Sequence, residues 1–451
     1  MQPVQENKMG VKPIPSLVLS MSFPIMLSML VQALYNIVDS MFVSHYSQQA
    51  LTAVTLAFPM QNLLIAVSVG TSVGVNSLLS RKLGAKDITS ARKAAGNGLT
   101  LSVISWAFFA FIGLFFSKTF VSFFTNDPEL ITMGTQYISI CLIFSLGLFI
   151  DIICERILQG TGDTIHPMII QSTGAIVNIL LDPILIFGLF GMPRMGVMGA
   201  AIATVFAQHI STVLAIYYVR RNKEIVLKKS SFRLEKQTVK DIYAVGIPTI
   251  IMQAIGTILI TSLNKILIGF STSAVAVFGI YFRLQSFIFM PVFGLNTGMI
   301  PVIGYNYGAR KPKRITATIK VGLVVAITIM GIGTALFMLF PHILLGWFDA
   351  TPEMIAIGTV AMQRISMGFV FAGVSIVLIA LFQGMGYGYL SMINSVSRQL
   401  VFLLPAAYLL GKYVGLDALW YSFFISELAS FTLTLYFFRK IYKTKIKTMT
   451  A

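Results

Sequence analysis

Apolar stretches of about 20 residues, the length a helix needs to cross a bilayer, recur from end to end of the chain with short polar breaks between them. They cover residues 17–42, 51–79, 95–117, 131–155, 167–190, 196–219, 242–266, 275–305, 317–341, 354–381, 391–411 and 415–438. The pattern predicts an all-α polytopic membrane protein with twelve transmembrane helices. Composition agrees: of 451 residues, 56% are hydrophobic and only 11% charged, and the mean hydropathy is +0.83. A soluble globule of this size needs more charge to cover its surface.

The net charge of +17 suggests a nucleic-acid binder until its distribution is examined. Of the 33 Lys and Arg, 27 fall in the two termini and in every second loop, including Arg81, Lys82, Lys86, Arg92 and Lys93 in one loop and Arg310, Lys311, Lys313, Arg314 and Lys320 in another. The opposite loops hold only Lys118, Arg194 and Lys412, and Lys265, Arg283 and Arg364 lie inside spans. The asymmetry predicts a cell-membrane protein with both termini in the cytoplasm, its basic face drawn to anionic lipid. The polar, Pro-containing start, Met1 to Pro15, reads as a retained cytoplasmic segment ahead of a first span of full length, without a cleavable signal.

Sequence chemistry argues against an enzyme. Cys141 and Cys154 share one span, thirteen residues apart, so they form neither a redox pair nor a metal knuckle and read as packing residues. His45, His166, His209 and His342 are scattered and lack metal-ligand spacing, and no phosphate-binding GxxxxGK[ST] stretch occurs. No metal or organic cofactor is expected, and any transport would draw on an ion gradient or a separate subunit.

An internal repeat organises the chain. At a constant offset of 224, Pro24 meets Pro248, Phe58 meets Phe282, Gln61 meets Gln285, Gly98 meets Gly322, and Gly84-Ala85 meets Gly308-Ala309. The match runs on through Pro128-Glu129 and Pro352-Glu353 to Gln159-Gly160 and Gln383-Gly384. Gly and Pro dominate because both halves need the same bends and close contacts. Six spans per half enter the membrane in the same sense, which predicts two six-helix bundles related by a pseudo-twofold along the membrane normal. The expected divisions are an N-terminal bundle over 1–219, a basic linker over 220–240, and a C-terminal bundle with a basic tail over 241–451.

With these features on the page, the chain resembles the multidrug and toxic compound extrusion (MATE) family, in its bacterial DinF-like branch. The resemblance covers about residues 15–438. It rests on Leu34-Tyr35-Asn36-Ile37-Val38-Asp39, Arg81-Lys82-Leu83-Gly84-Ala85, Gln159-Gly160-Thr161-Gly162-Asp163, Asn178-Ile179-Leu180-Leu181-Asp182-Pro183 and Gly304-Tyr305-Asn306-Tyr307-Gly308-Ala309, in that order on the repeat. It implies a multidrug efflux antiporter with two bundles around a V-shaped cavity, exchanging lipophilic organic cations for protons or sodium by alternating access. A lipid-linked oligosaccharide flippase of the same superfamily is the alternative, favoured only by Arg283 and Arg364. A monomer is expected.

Ionisable groups inside spans carry the chemistry, because a charge in hydrocarbon costs about 2.5–3.5 kcal/mol even on lenient scales. Asp182 stands in the fifth span, followed by Pro183, which withdraws a backbone donor and predicts a helix bend. Asn178, four residues earlier, shares its face, and the first-span stripe Gln32, Tyr35, Asn36, Asp39 ends at similar depth. The family pattern matches Asp39, Asn178, Asp182 and Thr204 to its cation and proton network. Plainer roles are an interfacial acid for Asp39, a bend acid for Asp182 and a packing residue for Thr204. In the second half the corresponding positions of Asp39, Asn178 and Asp182 are Leu263, Phe402 and Ala406, with a slip near Pro405, so coupling is assigned to the first half and protons are preferred. Tyr35, Asn36, Gln61, Gln285 and Met290 are the candidate substrate-cavity residues. Arg364 and Glu427 are expected to pair, as are Asp151 or Glu155 with Arg156.

Overall fold

The computed structural model describes residues 6–450, leaving aside the side chains of Asn36 and Thr450. The described residues are helical and contain no strand. Ten helices are long and apolar enough to cross a membrane, and two bent pairs bring the number of spans to twelve. The first six are Ile14–Tyr46, Gln48–Gly84, Ile88–Phe115, the pair Pro128–Ile143 and Leu146–Gly160, Ile165–Phe187, and Val197–Arg221. The next four are Lys236–Ile268, Thr272–Gly308, Pro312–Leu339, and the pair Pro352–Ser366 and Phe369–Gly384. The eleventh is Gly388–Tyr413, and the twelfth is built on Tyr421–Ile441.

Backbone detail repeats at the offset read from the sequence. Ser47 and Ser271 cap the second and eighth spans alike, each hydroxyl accepting from the amide three residues on, at 2.9 Å from Ala50 and 3.0 Å from Ala274. Such a cap satisfies one of the helix's orphan donors. Lys86 and Arg310 both take positive φ, 60° and 54°, where the second and eighth spans turn into their successors. The fourth and tenth spans each bend by 46°. Ser397–Leu403 of the eleventh span is π-helical, a wider turn, where the fifth span is α-helical.

The chain forms two compact units, Leu27–Ile250 and Met1–Met26 with Ile251–Ala451. Their boundaries lie inside the first and seventh spans, shortly after Pro24 and Pro248, rather than in the basic linker. Each half therefore lends the beginning of its own first helix to the unit built mainly from the other half. In the first unit, a Cβ on Gly74 would stand 2.2 Å from the carbonyl oxygen of Ile242, and one on Gly70 would stand 2.8 Å from that of Gly246. In the second unit, Gly294 and Gly298 meet Met26 and Ser22 in the same way, at 2.7 Å and 2.8 Å from their Cα atoms. Glycine is required at these crossings because nothing larger than hydrogen fits between the backbones.

Polar segments ahead of the lent helices are fastened just as closely. Asn97, fully buried on the third span, donates to the carbonyls of Ser231 and Arg233 at 3.1 and 3.0 Å and accepts from the amide of Glu235 at 2.9 Å. In the other unit, Asn306 and Arg314 donate to the carbonyl of Met9 at 3.0 and 3.1 Å, and Arg314 also reaches that of Lys12 at 2.8 Å. Asn97→Ala removes three hydrogen bonds worth about 1 kcal/mol each. The expected result is rapid tryptic cleavage at Lys228, Lys229 and Arg233 in a chain whose spans stay folded, read by timed proteolysis.

Candidate functional site

The fifth span supplies two of the four expected coupling residues. Asn178 and Asp182 are one turn apart on a buried face, 3% and 0% exposed, and the Asn178 amide donates to Asp182 Oδ1 at 3.2 Å. The same amide lies 3.5 Å from Thr204 Oγ1 on the sixth span. That span comes close because Gly199 allows the Leu185 carbonyl to within 2.5 Å of where a Cβ would be. Pro183, directly after the acid, stands within a helix that continues to Phe187, so it removes one backbone donor without ending the span.

Asp39 enters from the first span, and its carboxyl group faces that of Asp182 within hydrogen-bonding reach. Asp182 is fully buried and Asp39 half-buried. The structure thus brings Asp39, Asn178, Asp182 and Thr204 into one cluster inside a single unit. No cationic side chain lies within 4 Å of either acid among the described residues. Three acceptor oxygens in the cluster, Asp39 Oδ1, Asn178 Oδ1 and Asp182 Oδ2, are buried without a donor. Carboxylates in that setting are costly unless a cation joins them. Two carboxyls, an amide oxygen and a hydroxyl are suited to a proton or a small hard cation, whereas no cluster of three or more His, Cys, Asp or Glu able to hold a metal ion occurs among the described residues.

Around the cluster the polar network is wider than the sequence suggests. Gln171 of the fifth span donates to Gln32 of the first at 3.1 Å, tying the two acid-bearing helices together. Gln61 donates to the Tyr137 hydroxyl at 3.2 Å and to Cys141 Sγ at 3.7 Å. Cys141 is therefore a member of a polar network as well as a packing residue. Tyr137 and Cys141 are spaced by one helical turn, and that spacing of polar side chains in an apolar span is the signal that would have found them.

The remaining expected residues separate. Tyr35 and Gln61 belong to the first unit, while Gln285 and Met290, both half-buried, stand on the eighth span in the second. The side chain of Asn36 lies outside the described residues. The expected Arg364–Glu427 pair does not form. Arg364 lies 3.9 Å from Asp417 and stacks over the Tyr421 ring at 4.8 Å, while Glu427 binds Arg398 from the π-helical turn at 2.5 Å. Each has a nearer partner across the helix packing than the one expected. Arg156 likewise bonds to Gln159 at 2.8 Å and makes no ion pair with Asp151 or Glu155.

Comparison with known proteins adds a third line. The profile of the MatE family matches twice, over residues 24–184 and 248–409, once per half and well over half the chain in all. The probable multidrug resistance protein NorM of Thermotoga maritima is 26% identical over 423 residues, 93% of this chain and 91% of that protein. The multidrug export protein MepA of Staphylococcus haemolyticus is 26% identical over 408 residues, 90% and 89% of the two chains. Among solved structures, the outward-facing conformation of a multidrug resistance MATE family transporter of the MOP superfamily superposes with a TM-score of 0.92 at 26% identity, covering 100% of both chains.

Proposed function

From the premise that the chain belongs to the MatE family, and is therefore a membrane transporter and not an enzyme, we propose that it is a multidrug efflux antiporter coupled through Asp39 and Asp182. The relatives named for multidrug export support the substrate class. The observation that carries the coupling assignment is the set of three donorless buried oxygens on Asp39, Asn178 and Asp182.

In the proposed cycle protonation of the acid pair from outside lowers its negative charge and changes the bend of the fifth span at Pro183, and a lipophilic organic cation leaves. Return of the proton to the cytoplasm restores the charge that attracts the next cation. Sodium would use the same oxygens. The protein would work by alternating access as a monomer in the cell membrane, with both termini cytoplasmic, a topology that the distribution of its basic loops supports.

The test is efflux of an aromatic quaternary dye from vesicles carrying the purified protein. Dye movement driven by a pH gradient without sodium supports proton coupling, and movement only with a sodium gradient replaces the ion. Transfer of a lipid-linked sugar with no dye movement replaces the function with a flippase. Asn178→Ala is expected to slow gradient-driven efflux by about tenfold or less, since one hydrogen bond of about 1 kcal/mol is lost and the titrating groups remain; initial rates at matched protein levels measure it.

A further inference from the structure

The second unit holds a basic cavity that the transport proposal does not use. It lies between the start of the ninth span and the chain following the twelfth, and its volume is about 320 Å³. Lys313, Thr316, Lys320, Tyr442, Ile446 and Lys447 line it.

Among the described residues that line it, Lys313 and Lys320 set a one-sided charge and no carboxylate is present. Lys313, Thr316 and Lys320 follow one another at i, i+3 and i+7, so they form a single stripe on the ninth span. The neighbouring cations point elsewhere and are occupied: Lys311 holds the carbonyl of Gly10 at 3.0 Å and Arg314 holds Asn306 and the N-terminal backbone. Lys313 and Lys320 form no ion pair among the described residues, and both are exposed. Opposite them, Tyr442 and Ile446 are one turn apart. Ile446 is buried behind the wall at 1% exposure, and the ring of Tyr442, 37% exposed, with Ala317 gives the cavity its apolar surface.

Lys320 stands roughly 10 Å farther along the helix than Lys313 at 1.5 Å per residue, on the way from the polar end of the span into the membrane. Two cations at successive depths beside an apolar wall match a phosphate ester joined to a glycerol and its acyl chains. Basic pockets between transmembrane helices hold anionic headgroups by this combination. A zwitterionic headgroup would bring a further cation beside Lys313 and Lys320, against Coulomb repulsion. Inorganic phosphate would satisfy the lysines and gain nothing from the apolar surface of Tyr442 and Ala317.

We infer that this cavity binds the headgroup of an anionic phospholipid, with Lys313 and Lys320 as the counter-charges of its phosphate. The test uses the purified full chain in neutral detergent and phosphatidylglycerol with a fluorescent acyl chain, titrated against excess phosphatidylcholine. Saturable binding is expected. Lys313→Gln with Lys320→Gln should weaken it roughly twentyfold, each lysine near a membrane surface contributing about fivefold. Lys313→Arg with Lys320→Arg should retain binding within about threefold, because the charge is kept. Lys228→Gln with Lys229→Gln, in the other unit, should leave it unchanged. All these side chains are outside the core, and a single symmetric size-exclusion peak for each variant establishes that it is folded. Unchanged affinity in the Gln pair, an equal loss in the linker variant, equal binding of phosphatidylcholine, or displacement of the lipid by millimolar inorganic phosphate would each overturn the assignment.

Discussion

Asp182→Asn is expected to reduce gradient-driven dye efflux to the level of vesicles without protein, while the variant is produced and purified like the parent. The substituted side chain has the same size and still offers Oδ1 to the Asn178 amide, which donates at 3.2 Å, so the local structure has no reason to change. What it loses is the ability to carry a charge and to surrender it. In the parent, a fully buried carboxyl group with one oxygen lacking a donor needs a cation whenever it is ionised, and that need couples the ion to the cycle. Asp39→Asn should have the same effect, because its carboxyl faces that of Asp182. Rates from a fluorescent-dye assay at equal reconstituted protein measure both. Normal efflux in Asp182→Asn would reduce Asp182 to a helix-bend residue and move the coupling site elsewhere.

The largest loss of stability is expected at the glycine crossings. Gly74→Val places a Cβ 2.2 Å from the Ile242 carbonyl oxygen, and the obstacle is backbone rather than the end of a flexible side chain. Overpacking of an ordinary core costs about 1–3 kcal/mol, and here a whole helix must move, so the upper end of that range is the minimum. The expected outcome is little monodisperse protein and a collapse of the melting temperature. Gly298→Val should behave alike, with Ser22 Cα at 2.8 Å. Gly331→Ala is the control: nothing lies within 4 Å of its Cβ position, and replacing a helical glycine there should stabilise by about 0.5–1 kcal/mol. Equal tolerance at Gly74 and Gly331 would show that the close approach of the helices is not needed.

The spans could be read from the sequence because crossing a membrane depends on length and apolarity, which a chain carries residue by residue. Repeat positions were legible for a related reason. Pro24 and Pro248, or Gly84 and Gly308, serve backbone geometry, which their surroundings do not alter. The acid cluster stood out because a carboxylate in hydrocarbon is conspicuous, and Asn178 followed from helical spacing alone. Tyr137 and Cys141 did not, since their one-turn spacing of neutral side chains is a weaker signal than a charge in an apolar span. Arg364 and Glu427 mark a different limit: sequence gives depth along a helix but not which neighbour lies across from it, and Asp417 and Arg398 were nearer. The assignment of each first helix to two units was hidden for the same reason, because the sequence of a mostly apolar helix does not announce its partners.

That division of the first and seventh spans bears on how the protein is made. When the ribosome has completed residue 222, six spans have been synthesised, yet the groove at Gly70 and Gly74 waits for residues 242–250, and the opening residues of the first helix wait for Gly294 and Gly298. Neither half can finish its packing alone, and the decisive contacts join residues more than 160 positions apart in the chain, so the last steps of assembly are slow and follow membrane insertion. Halves severed between residues 222 and 228 would have to be produced together to yield either unit. By the same geometry, a lone six-helix half reaches this packing only by trading first helices with a second copy, as a twofold exchanged pair.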